Sequence, residues 1–285
     1  MNKRVLIILS VFLLADILLG LYALKTRQPY MEVVFFDVGQ GDSIFIETAS
    51  GQQILLDGGP DSTVLEKLEK EMPLFDRTID LVILSHFDTD HLTGLLEVLK
   101  RYEVKNVLWN GAEKESAFLE EWNRLLSEEG ANVLIAKRGL GLSLGEFEYI
   151  EVLYPLESIE GELITDINNS SVVFKLVYGE TSFLFPGDIY KETEGEILAA
   201  GLDLDADILK AAHHGSKTST GEDFLLAVSP NAVVASCGAG NSYGHPHPEF
   251  LELLEKYGIS IFRTDLKGDI KLISDKNKIY GVSSI

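Results

Sequence analysis

Apolar residues fall along this chain in two regimes. From Val5 to Leu24 they run almost unbroken, interrupted by a single charge, Asp16. After Met31 they come in short runs parted by Gly-containing turns, or recur every three to four residues. Short runs predict strands, and the three-to-four spacing predicts amphipathic helices. The strands expected are 32–36, 43–47, 53–56, 81–84, 104–108 and 132–136, then pieces through Tyr154. A hairpin of 172–177 and 181–185 turns at Tyr178-Gly179-Glu180, and strands at 207–209, 232–236, 260–262 and 270–273 follow. Helices are expected over 60–71, 91–102, 114–129, 221–227 and 248–257, with a loop from Leu156 to Asn169. No repeat of fixed period and no low-complexity tract interrupts the pattern.

The first 28 residues form a separate unit. As a helix, Val5 to Leu24 would span about 30 Å, the thickness of a bilayer core. Lys3 and Arg4 precede the run, and Lys25 and Arg27 follow it. No small-x-small cleavage site and no lipobox cysteine accompanies it. The expectation is therefore an uncleaved transmembrane anchor, with a cleaved signal segment as the alternative. Residues 29–285 form the second unit. With only a short segment ahead of the span, this long C-terminal part would cross and face outside the cytoplasm. The basic residues on both flanks weaken that orientation.

Composition narrows the classes. At 285 residues and 46% hydrophobic, the chain can bury a full core. Its single cysteine, Cys237, excludes an internal disulfide and a Cys-rich zinc module. The net charge of −21 argues against a broad electrostatic grip on nucleic acid. A nucleic acid held locally through metal ions is still open.

The polar clusters sit where apolar strands end. Leu81-Val82-Ile83-Leu84 leads into Ser85-His86-Phe87-Asp88-Thr89-Asp90-His91. Clustered carboxylates repel one another, and a bound cation is the simplest compensation. Phe183-Leu184-Phe185-Pro186 leads to Gly187-Asp188, and Ile208-Leu209-Lys210-Ala211-Ala212 to His213-His214-Gly215-Ser216. Val233-Val234-Ala235-Ser236 leads to Tyr243-Gly244-His245-Pro246-His247. Strand-end loops converging on one sheet edge are how α/β folds build active sites.

Together with Asp37-Val38-Gly39-Gln40-Gly41-Asp42 and Leu56-Asp57-Gly58-Gly59, these segments resemble the metallo-β-lactamase fold. Within it they resemble the soluble hydrolase domain of ComEC-type DNA-internalisation competence proteins, over about Met31 to Ile285. The resemblance implies a mixed α/β fold, an αββα four-layer sandwich with a dinuclear metal site. It does not carry over a transport channel, because those proteins have many membrane spans and this chain offers one. The usual loop of the superfamily is H-x-H-x-D-H, and Asp88 stands here at the second His. All six histidines lie at 86, 91, 213, 214, 245 and 247, so none falls between 92 and 212, where the superfamily supplies a ligand. The resemblance places the corresponding position, before Gly187-Asp188, within Asp166-Ile167-Asn168-Asn169-Ser170.

The expected metal ligands are His86, Asp88, Asp90, His91, Asp188, His213 and His214. Asp188 would bridge two divalent ions, and either His213 or His214 would coordinate. The first position is oxygen-rich, so manganese or magnesium joins zinc as a candidate. Asp90 and Asp188 are candidates for orienting the attacking water, and His245 or His247 for protonating a leaving group. Asp57 would hold a metal ligand from behind, or simply end a strand at its turn. Asp42 would act alike, or satisfy the backbone of its own turn. Ser216, Lys217 and Ser219 form a hydroxyl-rich loop before a helix. They suit either a phosphate or N-capping. Divalent ions in such a site activate water and absorb developing charge, so no Ser, Cys or Lys nucleophile is needed. The reading is a metal-dependent phosphodiesterase or nuclease, membrane-anchored, acting on nucleic acid or another phosphodiester. A hydrolase of a small ester, lactone or thioester uses the same fold. A membrane-tethered binding module with a vestigial site is the non-enzymatic alternative.

Overall fold

The computed structural model describes residues 3–25 and 30–283, with the side chains of 6, 7, 21–25, 282 and 283 outside the description. A helix, α1 (Lys3–Lys25), covers the expected N-terminal run, and its described apolar side chains from Val5 to Leu19 are exposed. Among the described residues no helix is long and apolar enough to cross a membrane, so the structure does not carry the expected transmembrane span. The side chain of Lys25 and all of Arg27, part of the basic flank, lie outside the described residues.

The rest is built from two sheets. The first half supplies β1 (Met31–Phe35), β2 (Ile44–Glu47), β3 (Gln53–Leu56), α2 (Thr63–Glu71), β4 (Thr78–Ile83), α3 (Thr89–Leu99), β5 (Glu103–Trp109), α4 (Ala117–Glu129) and β6 (Asn132–Ile135). Then come β7 (Gly141–Ser143), β8 (Glu148–Tyr154), β9 (Val173–Tyr178), β10 (Thr181–Phe185), α5 (Lys191–Ala199), β11 (Ile208–Lys210), α6 (Glu222–Val228) and β12 (Ala232–Ala235). The chain closes with α7 (Pro248–Tyr257), β13 (Ser260–Arg263), α8 (Thr264–Lys267), β14 (Ile270–Ser274) and β15 (Ile279–Ser283). One sheet has the order β15-β14-β1-β2-β3-β4-β5-β6, the other β13-β12-β11-β10-β9-β8-β7.

Period-two alternation assigns each strand residue to a layer. In β1, Met31, Val33 and Phe35 enter the core between the sheets, while Val34 joins the core under α2, α3 and α4. In β11, Ile208 faces the other sheet and Leu209 the core under α5, α6 and α7. Both faces of each sheet are covered, so the strands read as continuous apolar runs. The four layers are helices, sheet, sheet and helices, the αββα arrangement expected.

Strands β3, β4, β5 and β6 run parallel, as do β10, β11, β12 and β13. Two antiparallel steps, β1 to β2 and β2 to β3, bring β1 into line with them. The loops after β1, β3 and β4 therefore leave one edge of the first sheet, and the chain enters β1 at the opposite edge.

The stretch 156–169, expected as a plain loop, is tied to the segment after β5. Gly161 N–H donates to Gly111 O (2.9 Å), Glu113 N–H to Glu162 O (2.8 Å) and Ile164 N–H to Glu113 O (3.0 Å). Ile159, Ile164 and Ile167 pack on the first core. Three elements escaped the reading, α5, α8 and β15. The buried residues of α5 are Thr193, Glu194 and Ile197, a face with one apolar member.

Candidate metal centre

Asp57 follows β3 with a left-handed φ of 56°, which turns its carboxylate toward the end of β4. Its Oδ1 accepts the Ser85 N–H (2.8 Å) and its Oδ2 the Ser85 hydroxyl (2.6 Å). Having donated to Asp57, that hydroxyl can only accept from His86 Nδ1, 2.9 Å away. His91 Nδ1 donates to Asp57 Oδ2 at 2.8 Å, and His214 Nδ1 to Ser236 O at 3.0 Å. In their neutral form the three rings would share one tautomer, with the proton on Nδ1 and a lone pair on Nε2. All three Nε2 atoms are buried without a hydrogen-bond partner, as is His213 Nδ1.

Two of these nitrogens converge with carboxylate oxygens. His91 Nε2 lies 3.4 Å from Asp188 Oδ2, and His214 Nε2 lies 3.2 Å from Asp188 Oδ2 and 3.4 Å from Asp90 Oδ2. Ligands about 2.0–2.1 Å from a tetrahedral ion are separated by roughly 3.3–3.4 Å. The spacings about Asp188 Oδ2 suit a divalent ion held by His91, Asp188 and His214, with Asp90 Oδ2 beside His214. Asp42, also buried, groups with His91, Asp188 and His214 within 4.8 Å. Its oxygens lie behind the rings, 3.7 Å from His91 Nδ1 and 3.8 Å from His214 Nδ1.

Local backbone explains the convergence. Asp88 takes the N-cap position of α3, yet its carboxylate makes no capping bond. A Cβ on Gly41 would collide with Asp90 O, so glycine lets the loop after β1 lie against the start of α3. His213 and His214 share a 3-10 turn with φ of 47° and 57°. They are not strand neighbours pointing apart. His214 enters the centre. The His213 ring faces Tyr190 and His245, with centroids 5.4 Å from each.

Charge and burial oppose one another throughout. Burial works against protonated His91, but Asp188, Asp57 and Asp90 outweigh it and raise its pKa well above the ordinary value. For His214, burial is likewise overcome by Asp188 and Asp42, and its pKa rises to about 9. Burial and then His91 push His86 well below its usual range. Burial would lift Asp188, yet His214, Lys210 and His91 hold it well below. Asp88 is half-buried, and burial followed by Asp90 raises its carboxyl. Opposed protonation demands of this kind are what a dication resolves.

The other expected residues are spread around this centre. Asp88 opens on a polar groove of about 470 Å³ lined by Lys114, Thr165, Asp166, Asn168 and Tyr190. The tied-down 156–169 segment thus forms one wall beside the site. Asn169 Oδ1 accepts from Tyr190 N–H and the Thr193 hydroxyl, 2.9 Å each, so it is spent on the start of α5. His245 is buried at the rim, with its ring centroid 6.0 Å from that of His214. Burial, then His214 and His213, lower its pKa to about 4. The His247 ring packs edge-on against that of His245, with centroids 4.8 Å apart, and its Nδ1 accepts the Lys217 N–H at 3.2 Å. Lys217 is exposed, Ser216 pairs with Thr218 (2.8 Å), and Ser219 is buried. The Ser216–Thr220 loop offers no phosphate cradle at its helix end. Both Thr220 and Gly221 N–H groups donate to the Glu194 carboxylate, and α6 has no side-chain cap.

Comparison with known proteins agrees with this geometry. The sequence profile of the metallo-beta-lactamase superfamily matches residues 36–239. The chain belongs to that superfamily. It is 32% identical over 257 residues to ComE operon protein 3 of Bacillus subtilis (strain 168), covering 84% of this chain and 32% of that protein. It is 30% identical over 251 residues to competence protein ComA of Neisseria gonorrhoeae, again covering 84% and 32%. The chain thus spans about a third of the length of these relatives. Among solved structures it is similar to the metallo-beta-lactamase fold protein YhfI from Bacillus subtilis. The TM-score is 0.55 at 12% identity, covering 89% of this chain and 100% of that one.

One buried residue of this superfamily member was passed over in the sequence. Lys210 ends β11, and its ammonium donates to Gly187 O and Asp188 Oδ1, 3.1 Å each, and pairs with Asp42. A charge inside an otherwise apolar, doubly covered strand was the available signal.

Proposed function

We propose that this chain is a metal-dependent phosphodiesterase or nuclease that holds two divalent ions, manganese, zinc or magnesium. The observation that carries the metal-dependent reading is the set of buried, unpartnered imidazole nitrogens aimed at Asp90 and Asp188. Its substrate class follows from likeness to competence proteins, which makes nucleic acid the candidate phosphodiester. Bound divalent ions supply an activated water and neutralise charge building on the phosphoryl oxygens. Asp90, His91, Asp188 and His214 would hold one ion, and His86 and Asp88 border a second position. Asp57 and Ser236 O fix the rings, and Asp90 and Asp188 would orient the attacking water. His245, at the rim and kept neutral by its lowered pKa, would relay a proton to a leaving group rather than store one. His247 has its Nδ1 engaged by Lys217 and serves the loop instead. With −21 overall, contact with nucleic acid would be local, at the polar groove by Lys114 and Tyr190.

The test is a panel of plasmid, single-stranded DNA, bis-p-nitrophenyl phosphate and p-nitrophenyl acetate with manganese or zinc. Phosphodiester cleavage that EDTA abolishes and manganese restores is the expected result. Faster turnover of esters or lactones than of every phosphodiester would transfer the assignment to the small-ester reading.

The apolar run from Val5 to Leu24 supports a membrane tether, with the hydrolase domain outside the cytoplasm. The chain enters β1 at the edge opposite the site, so a tethered domain would turn its centre away from the bilayer. Protease treatment of spheroplasts should digest the domain. Protection until lysis would place it inside.

A further inference from the structure

Lys210 stands where the layer pattern calls for an apolar side chain. Ile208, two residues earlier on the same face of β11, belongs to the core between the sheets. The Lys210 side chain is only 2% exposed. A lysine has three N–H donors, and here Gly187 O, Asp188 Oδ1 and Asp42 provide an acceptor for each. A buried ammonium is retained only where opposite charge and hydrogen bonds meet it.

The consequence falls on Asp188. Its Oδ2 faces the Nε2 atoms of His91 and His214, while its Oδ1 is held by Lys210. Asp188 therefore offers one oxygen to metal. A fixed positive charge also repels a second dication in a site shielded from water. On the far side, His86 and Asp88 have no third protein ligand in Asn169, whose Oδ1 is committed to Tyr190 and Thr193.

We infer that Lys210 is a built-in cation that makes the two metal positions unequal. The position bounded by Asp90, His91, Asp188 and His214 fills first. The position beside His86 and Asp88 is the weaker one, because Lys210 withholds half of Asp188 and part of the available negative charge. This rests on the metal-dependent function proposed above, and its test separates the two.

The experiment is titration of the metal-stripped full chain with manganese alone, followed by calorimetry and by metal content after dialysis. The wild type should bind one ion tightly and a second about a hundredfold more weakly. In Lys210→Met the second ion should bind at least about tenfold tighter, with the first no weaker. Because Met leaves Asp42 buried without its partner, Asp42→Asn/Lys210→Met is measured beside it. That neutral pair should show a smaller gain of the same sign, since Asp188 Oδ1 is released in both but only the single variant also changes the net charge. Two ions of equal affinity in the wild type would overturn the inference. So would loss of the first ion in both variants, which would mark Lys210 as scaffold only, or an unchanged gap between the two ions in both. A wild type that binds no ion at all overturns the metal-dependent reading, and this inference with it.

Discussion

Replacing Asp57 by Asn removes one charge from behind His91 and leaves most of the local shape in place. Asn tolerates the left-handed φ of 56° better than most residues, whereas Ala would add backbone strain to the result. With its amide oxygen kept on Ser85 N–H, the Asn NH2 faces His91 Nδ1. It would donate to that nitrogen and place the ring proton on Nε2, where the metal lone pair is required. Flipping the amide restores the tautomer but leaves the Ser85 N–H facing an NH2 group. A buried donor without an acceptor costs about 1–3 kcal/mol. Loss of a partner behind a metal-ligating histidine typically weakens metal binding about 10–100-fold, or about 1.4–2.7 kcal/mol. Neither amide orientation is free of penalty, so the upper end is expected. Chelator competition measures the manganese affinity, and thermal melting of the metal-free chain reports whether the fold is kept. A folded variant with affinity within about threefold of wild type would refute the argument that Asp57 sets the tautomer of His91.

Metal binding should tighten as pH rises from about 6.5 to 9. His214 has a folded pKa near 9 and His91 one well above the ordinary 6.5, so their protons stabilise the metal-free chain fully below 6.5. That stability is lost as pH climbs through the folded values. An ion must displace the His214 proton, worth about tenfold in affinity per pH unit below 9, and a flat affinity profile would contradict the assignment. Asp88→His should shift preference from manganese toward zinc, because imidazole is the softer ligand; an unchanged preference in metal competition would remove Asp88 from the site. Gly94→Ala should destabilise the chain by about 3 kcal/mol in urea melts, since its Cβ would collide with Gly58 O and press on Asp61 O, both backbone. A loss below about 0.5 kcal/mol would show that the turn carrying Asp57 yields easily.

Strand-end positions for His86, Asp88, Asp90, His91, Asp188 and His214 were readable because each follows an apolar run that can only be a covered strand. The choice between His213 and His214 was not, because strand alternation does not apply to two residues in a left-handed turn. Lys210 escaped for the converse reason. Alternation sends one strand face to solvent, but β11 is covered on both sides and its lysine has only the centre to enter. Ser236 contributes through its backbone carbonyl, to which sequence is silent. The phosphate reading of Ser216 to Thr220 lost the backbone donors of Thr220 and Gly221 to Glu194, a residue on α5. That helix was itself hidden because its buried face includes the same glutamate. Long-range partners of polar side chains, rather than element types, are what the pattern of apolar positions leaves open.

The central claim is that Asp90, His91, Asp188 and His214 hold a catalytic divalent ion. Anomalous diffraction from crystals grown with manganese tests it most directly. The strongest anomalous peak should lie between Asp188 Oδ2, Asp90 Oδ2, His91 Nε2 and His214 Nε2, at about 2.0–2.2 Å from each. A centre without anomalous signal at saturating manganese, or manganese bound only to exposed acids elsewhere, would contradict the account.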